Sequence, residues 1–144
     1  MSDATKKPWT VTLDHAAVAT REPQKLKQLL LWLGLEDCGD ELVASQGIRT
    51  HFIKPSKSEP SVEILEVVDN KSTVAKFLEK KGPGIHHLSF LVTNLDALSA
   101  DLRARGVRLV YAEPQPGAHK TRVNFIHPES TGGVLIEISE KASK

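Results

Sequence analysis

The sequence predicts an α+β protein in which a strand, a helix and three further strands occur twice in tandem. Three observations carry this reading: an ungapped internal match at a shift of 72, a switch within each copy from a strand-like apolar run to helical periodicity, and two later strand segments that match at shifts of 73 and 74. "LDHAAVATREPQKLKQLLLWLGL" (13–35) aligns with "IHHLSFLVTNLDALSADLRARGV" (85–107), setting His15 on His87, Leu26 on Leu98, Leu30 on Leu102 and Gly34 on Gly106.

In the first copy an apolar strand crosses the turn "TREP" into a helix with Pro23 in its first turn. Leu26, Leu29, Leu30 and Leu33 follow the i, i+3, i+4, i+7 rule for a buried stripe, and Gly34 ends it. A short strand is expected near 42–45, followed by "RTHFIKP" (49–55) and "SVEILEV" (61–67). The linker "DNKSTVAKFLEKKGPG" (69–84) predicts a short helix from about Ser72 to Lys80, stopped by Gly82, Pro83 and Gly84. The second copy opens on the strand at 85, uses Asn94 as helix N-cap, and buries Leu95, Leu98 and Leu102. A strand near 108–112, "RVNFIHP" (122–128) and "VLIEISE" (134–140) complete it. Residues 1–144 therefore read as one domain made of a module at 10–68, a linker helix at 69–84 and a module at 85–140.

Nineteen Lys and Arg against eighteen Asp and Glu give a formal charge of +1, which offers no electrostatic reason to expect nucleic acid or an anionic membrane as partner. The densest apolar run, "LLLWLGL" (29–35), is too short to span a bilayer, and "MSDATKKPWT" lacks the apolar stretch of a secretory signal. The lone Cys38 excludes an intrachain disulfide and fits a reducing compartment, so the cytoplasm is expected.

The duplication selects the chemistry. His15 pairs with His87, and Glu63 pairs with Glu137 at a shift of 74. A single strand histidine is usually a hydrogen-bonded structural residue, and a lone Glu in a strand usually alternates toward water. Two His and two Glu recurring in register are harder to treat as independent accidents. Together they form a mixed nitrogen and oxygen set suited to a divalent metal, with two positions of an octahedral site left for water or substrate. His86 falls on Asp14 and is expected to point to the opposite face from His87. His51, His127 and Cys38 receive no catalytic role; His119 lies in a loop that is expected to border the pocket.

With these residues the chain resembles the vicinal oxygen chelate superfamily, whose members build a metal site from paired βαβββ modules in a curved mixed sheet. More narrowly it resembles the methylmalonyl-CoA epimerase family from about Leu13 to Ser139, through "LDHAAVA", "STVAKFLEKKGPGIHHLSF", "LRARGVRLVYAEPQPGAHK" and "NFIHPESTGGVLIEI". The resemblance implies metal ligation by His15, Glu63, His87 and Glu137, with Co²⁺ the leading ion and Zn²⁺, Mn²⁺ or Ni²⁺ the alternatives. It implies epimerisation of 2-methylmalonyl-CoA by removal of the α-proton through a metal-chelated enediolate, with Glu137 as one acid/base group. Thr50 stands where some of these epimerases have the opposing Glu, which leaves Glu63, a metal-bound water or His119 for the second role. Lys120 and Arg122 are expected to meet the anionic CoA moiety, and a homodimer is expected from the resemblance. The rival readings are a glyoxalase I type lyase and a non-catalytic small-molecule-binding protein of the same fold.

Overall fold

The computed structural model describes residues 7–55 and 60–142. The chain divides into two compact units, Asp14–Leu88 and the flanking segments 7–13 with 89–142. Among the described residues, eight strands and three α-helices follow in the order β1 (Val11–Ala19), α1 (Pro23–Leu33), β2 (Glu36–Val43), β3 (Ile48–Lys54), β4 (Ser61–Val67), α2 (Thr73–Lys81), β5 (Gly84–Val92), α3 (Leu95–Ala104), β6 (Gln115–Pro116), β7 (Thr121–Ile126) and β8 (Ile136–Lys141).

In the first unit the strands lie in the order β2-β3-β4-β1-β5. The β2/β3 and β3/β4 pairs are antiparallel, and β1 runs parallel to β4. Register fixes which side chains share a face: Phe52 stands opposite Glu63, Ala17 opposite Glu63 and His15 opposite Ser61. Cross-strand partners and residues two apart project the same way, so His15 and Glu63 emerge from one face. At one end of that face Ala17, Ala19, Ile48 and Leu65 are capped by Val74, Leu78 and the half-buried Phe77 of α2.

In the second unit the order is β5-β8-β7-β6, with antiparallel β6/β7 and β7/β8 pairs. Phe125 stands opposite Glu137, repeating the Phe52 and Glu63 pairing of the first unit. Its core joins Val92, Leu95, Leu98 and Ile138, with Trp9, Leu102, Leu109 and Ile126 packed around them.

The helix ends also repeat. At the end of α1, Gly34 (φ 112°) is left-handed and Leu35 N–H donates to Leu30 C=O; after α3, Gly106 (φ 83°) does the same with Val107 N–H donating to Leu102 C=O. Only a residue without Cβ takes this conformation at little cost, which is why both copies stop at glycine. Ser72 caps α2 by accepting from Ala75 N–H at 3.1 Å, and Asn94 caps α3 by accepting from Ala97 N–H at 3.1 Å.

Three sequence expectations are corrected. The buried stripe of α1 is not Leu26, Leu29, Leu30 and Leu33. The inward positions are Pro23, Leu26, Lys27, Leu30 and Leu31, all half-buried, while Leu29 and Leu33 are 50% and 69% exposed. Lys27 sets this rotation: its ammonium reaches Asp37 of β2 at 3.0 Å, and its side chain is only 15% exposed. Leucines spread over several sides of a helix do not fix its rotation; here the Lys27 stem lies along the inward side while its ammonium pairs with the 39%-exposed Asp37 carboxylate. Second, the strand expected at 42–45 occupies Glu36–Val43, and 44–46 form a short 3₁₀ turn. It is a polar, largely exposed edge strand bulged between Asp37 and Asp40, so it lacks apolar alternation. Third, no continuous strand forms at 108–112. There Leu109 bridges Ile126, while the Asn124 carboxamide accepts from Tyr111 N–H and donates to Tyr111 C=O, each at 3.0 Å. Backbone pairing persists around Leu109, with Val110 N–H donating to Phe125 C=O at 2.8 Å and His127 N–H to Arg108 C=O at 2.9 Å; at Tyr111 a side chain takes both backbone groups, and strand pairing resumes in β6.

Candidate metal centre

His15 lies on β1 and His87 on β5, and both are buried, 6% and 7% exposed. Their Nε2 atoms face each other at 3.3 Å. The opposite nitrogen of His15 is held twice, by Asp14 Oδ2 at 2.7 Å and Glu63 Oε2 at 3.0 Å. Asp14, His15 and Glu63 bring their ligand atoms within 4.8 Å of one another. Two carboxylates at Nδ1 require the proton there, which leaves the Nε2 lone pair of His15 aimed at His87.

His87 is backed in the same sense by the residue before it: His86 Nδ1 lies 2.9 Å from His87 Nδ1. The His86 ring in turn packs edge-on against Phe77 of α2, 4.9 Å between centroids. This corrects the expectation that His86 turns away from His87. Their Cβ atoms alternate as strand geometry demands, yet the His86 ring folds back to its neighbour. Burial, aided by Lys81, lowers the His86 pKa to about 4. Burial, then His86 and His15, push His87 well below the ordinary histidine range. Both rings are therefore neutral at pH 7, the state in which imidazole binds metal.

These residues fit a divalent ion. Without a metal, a proton shared between the two Nε2 atoms satisfies both rings. When His87 instead carries its proton on Nδ1 and donates to His86, two lone pairs converge. A separation of 3.3 Å lets both serve an ion at the usual 2.0–2.1 Å metal–nitrogen distance. Asp14 and His86 would then be the outer partners that orient ligating imidazoles and fix their tautomers. Sequence reasoning passed over both, although their alignment with each other, one residue before each histidine, was the available signal.

Of the remaining site residues, Thr50 is buried at 2% on β3, on the face that carries Phe52 and Glu63. In the second unit Glu137 is buried on β8 at the position equivalent to Glu63. His119 and Lys120 form a tight turn with both residues left-handed, φ 56° and 57°, an uncommon conformation outside glycine and one often kept at functional loops. Gly117 sets up this turn, since a Cβ there would meet Val123 Cγ1 at 2.6 Å. The Arg122 guanidinium is held by Asp96 at 3.0 Å and Glu140 at 3.3 Å, which gives it a clamping role between α3 and β8.

Residues 14–125 match the Glyoxalase/Bleomycin resistance protein/Dioxygenase superfamily. The methylmalonyl-CoA epimerase of Mycobacterium tuberculosis is 39% identical and superposes with a TM-score of 0.82, covering 91% of this chain and 88% of that one. A single-residue variant of the Streptomyces coelicolor methylmalonyl-CoA epimerase, in complex with 2-nitronate-propionyl-CoA, is 32% identical with a TM-score of 0.84 over 93% of this chain and 100% of that one. The mitochondrial methylmalonyl-CoA epimerase of Dictyostelium discoideum is 33% identical over 132 residues, 90% of this chain and 78% of that one.

Proposed function

The chain belongs to the Glyoxalase/Bleomycin resistance protein/Dioxygenase superfamily and, within it, to the methylmalonyl-CoA epimerases, and on that premise we propose that it interconverts the two C2 epimers of 2-methylmalonyl-CoA with the help of a divalent metal. The observation that carries this reading is the pair of buried imidazoles with their Nε2 atoms 3.3 Å apart. In this reading Glu63, which here meets His15 Nδ1, turns to the ion together with Glu137 at its equivalent position, and Asp14 is left to hold His15 Nδ1. Cobalt is the ion of this reading, with zinc, manganese and nickel as alternatives, all of which two imidazoles and two carboxylates can hold. When bound, such an ion supplies Lewis-acid stabilisation of negative charge on the substrate's oxygens.

The protein's own contribution is proton transfer and orientation. The C2 hydrogen is acidic because a thioester and a carboxylate flank that carbon, and a positioned carboxylate lowers the barrier to its removal. Glu137 takes this role at one face of the carbon. Buried Thr50 and the apolar ring of Phe52 limit water near the reacting carbon, which strengthens every electrostatic contact there. Lys120, in its left-handed turn, is the cation assigned to the anionic CoA moiety, with His119 beside it; Arg122, already paired twice, is not. The row of Leu29, Trp32 and Leu33 on α1, 50%, 76% and 69% exposed, favours a homodimer that covers it. No helix among the described residues is long and apolar enough to cross a membrane. The cytoplasm remains the compartment of this reading, in keeping with a single exposed Cys38.

The test is deuterium incorporation at C2 of methylmalonyl-CoA in D₂O, followed by NMR, with metal-stripped protein and after Co²⁺ is restored. Metal-dependent exchange well above the protein-free rate is expected. A loaded site without exchange would favour a glyoxalase I type lyase, and failure to load any metal would favour a small-molecule-binding protein.

A further inference from the structure

The two imidazoles that face each other are backed by unlike groups, and the difference makes one of them depend on α2. Behind His15 stand carboxylates, Asp14 at 2.7 Å and Glu63 at 3.0 Å. A carboxylate has about four lone-pair sites on two oxygens, so it accepts from Nδ1–H over a wide range of its own orientations. Behind His87 stands a second imidazole, with His86 Nδ1 at 2.9 Å from His87 Nδ1. An accepting ring nitrogen has a single lone pair in the plane of its ring, so this bond forms only while the His86 ring is held in place. The assignment that follows rests on the metal-centre reading and asks what holds it.

The strand alone does not. His86 and His87 are consecutive on β5, their Cβ atoms leave opposite faces, and the His86 ring has to lie back across the strand to meet its neighbour. It is half-buried, so water competes for its nitrogens. Against that competition stands Phe77, whose ring meets the His86 ring edge-on with centroids 4.9 Å apart and planes at 71°. This is the arrangement that two aromatic quadrupoles favour.

Phe77 is in turn anchored from two sides. Helix α2 starts on its Ser72 cap and buries Val74 and Leu78 among Ala17, Ala19, Ile48 and Leu65, and Phe77 rests on the same cluster. One turn later Lys81 sets its ammonium 5.8 Å from the centre of the Phe77 ring. Gly82 and Pro83 alone separate α2 from β5, which leaves the helix little freedom relative to the strand that carries both histidines. Lys81, Phe77, His86 and His87 all belong to the first unit.

We propose that Phe77 is a positioning residue of the metal centre. Its ring keeps His86 in the orientation that accepts the Nδ1 proton of His87, and this leaves the Nε2 lone pair of His87 for the ion. The helix between the two copies thereby serves the histidine that opens the second.

The experiment is a double-mutant cycle of Phe77→Leu and His86→Ala in the full chain, read by calorimetric Co²⁺ affinity and by the visible spectrum of the Co²⁺ form. Leucine keeps apolar contact with the α2 cluster and removes the ring. Phe77→Leu is expected to weaken Co²⁺ binding about 3–10-fold, the worth of one edge-on aromatic pair, and to shift the visible bands. Phe77→Tyr, which keeps the ring, is expected to bind within about twofold of the parent. With His86→Ala already in place, Phe77→Leu is expected to change affinity by less than about twofold, because the group it acts through is gone. Running the same cycle with Phe77→Met makes the result independent of one replacement. Equal losses in both backgrounds overturn the proposal and leave Phe77 as a packing residue of α2, as does parent-like affinity and spectrum in Phe77→Leu. If the parent protein itself binds no Co²⁺, the metal-centre reading falls first, and the assignment falls with it.

Discussion

The two modules are copies that have kept different things. Both keep a histidine backed by the residue before it, a glutamate set opposite a phenylalanine, and a helix ended by glycine. They differ in how they bury their helices and finish their sheets. Helix α3 places Leu95 and Leu98 in the core, whereas α1 contributes no fully buried residue and shows Trp32 to solvent. The first module has an eight-residue second strand; the second keeps a short bridge at Leu109, after which the carboxamide of Asn124, at the position equivalent to His51, clasps Tyr111. What a metal centre demands was held in register through divergence, and what only packing demands was free to drift.

The comparison breaks most decisively at the histidines. His15→Ala and His87→Ala are expected to abolish metal binding and lower C2 exchange by at least about 1,000-fold alike, a loss expected when the ion and its charge stabilisation go together. Retained affinity in one of them would show that the copies do not contribute equally. A smaller effect separates the groups behind them. Asp14→Ala and His86→Ala are expected to weaken metal affinity by about 10–100-fold without abolishing it, read by calorimetry and by the visible spectrum of the Co²⁺ form.

The imidazole-backed half also carries a pH dependence. His86 titrates near pH 4 and His87 well below its ordinary range when folded, against 6.5 for the free side chain. Between those values the unfolded chain binds more protons, so metal-free protein loses stability as pH falls from about 6.5 toward 4 and is unaffected above 7. Melting temperatures at pH 7.5, 6 and 5 test this, and His86→Phe is expected to flatten the slope. The helices give the last contrast. Leu98→Ala, buried in the second core, is expected to cost about 2–4 kcal/mol by denaturant unfolding, while Trp32→Gln changes protomer stability by less than about 0.5 kcal/mol. Any larger change on Trp32→Gln would appear in the oligomeric state, by sedimentation.

Much of this was legible in the sequence because duplication is a stronger signal than propensity. The aligned glycines marked both helix ends, and the aligned histidines marked the two buried imidazoles that face each other. The remainder depended on interactions that no periodicity encodes. Rotation of α1 goes with Lys27 reaching Asp37, the interruption of the strand at 108–112 with the carboxamide of Asn124 taking Tyr111, and the inward fold of His86 with its contacts to His87 and Phe77.

The chain has two tryptophans, and the duplication has parted them. Trp32 stands 76% exposed on α1 in one unit, and Trp9 rests half-buried against the apolar cluster of the other. Each unit thereby carries its own fluorophore, one in water and one against hydrocarbon, with emission maxima that differ from the outset. Replacing either by phenylalanine leaves a single optical reporter, so the melting of each unit can be followed separately, with no added label.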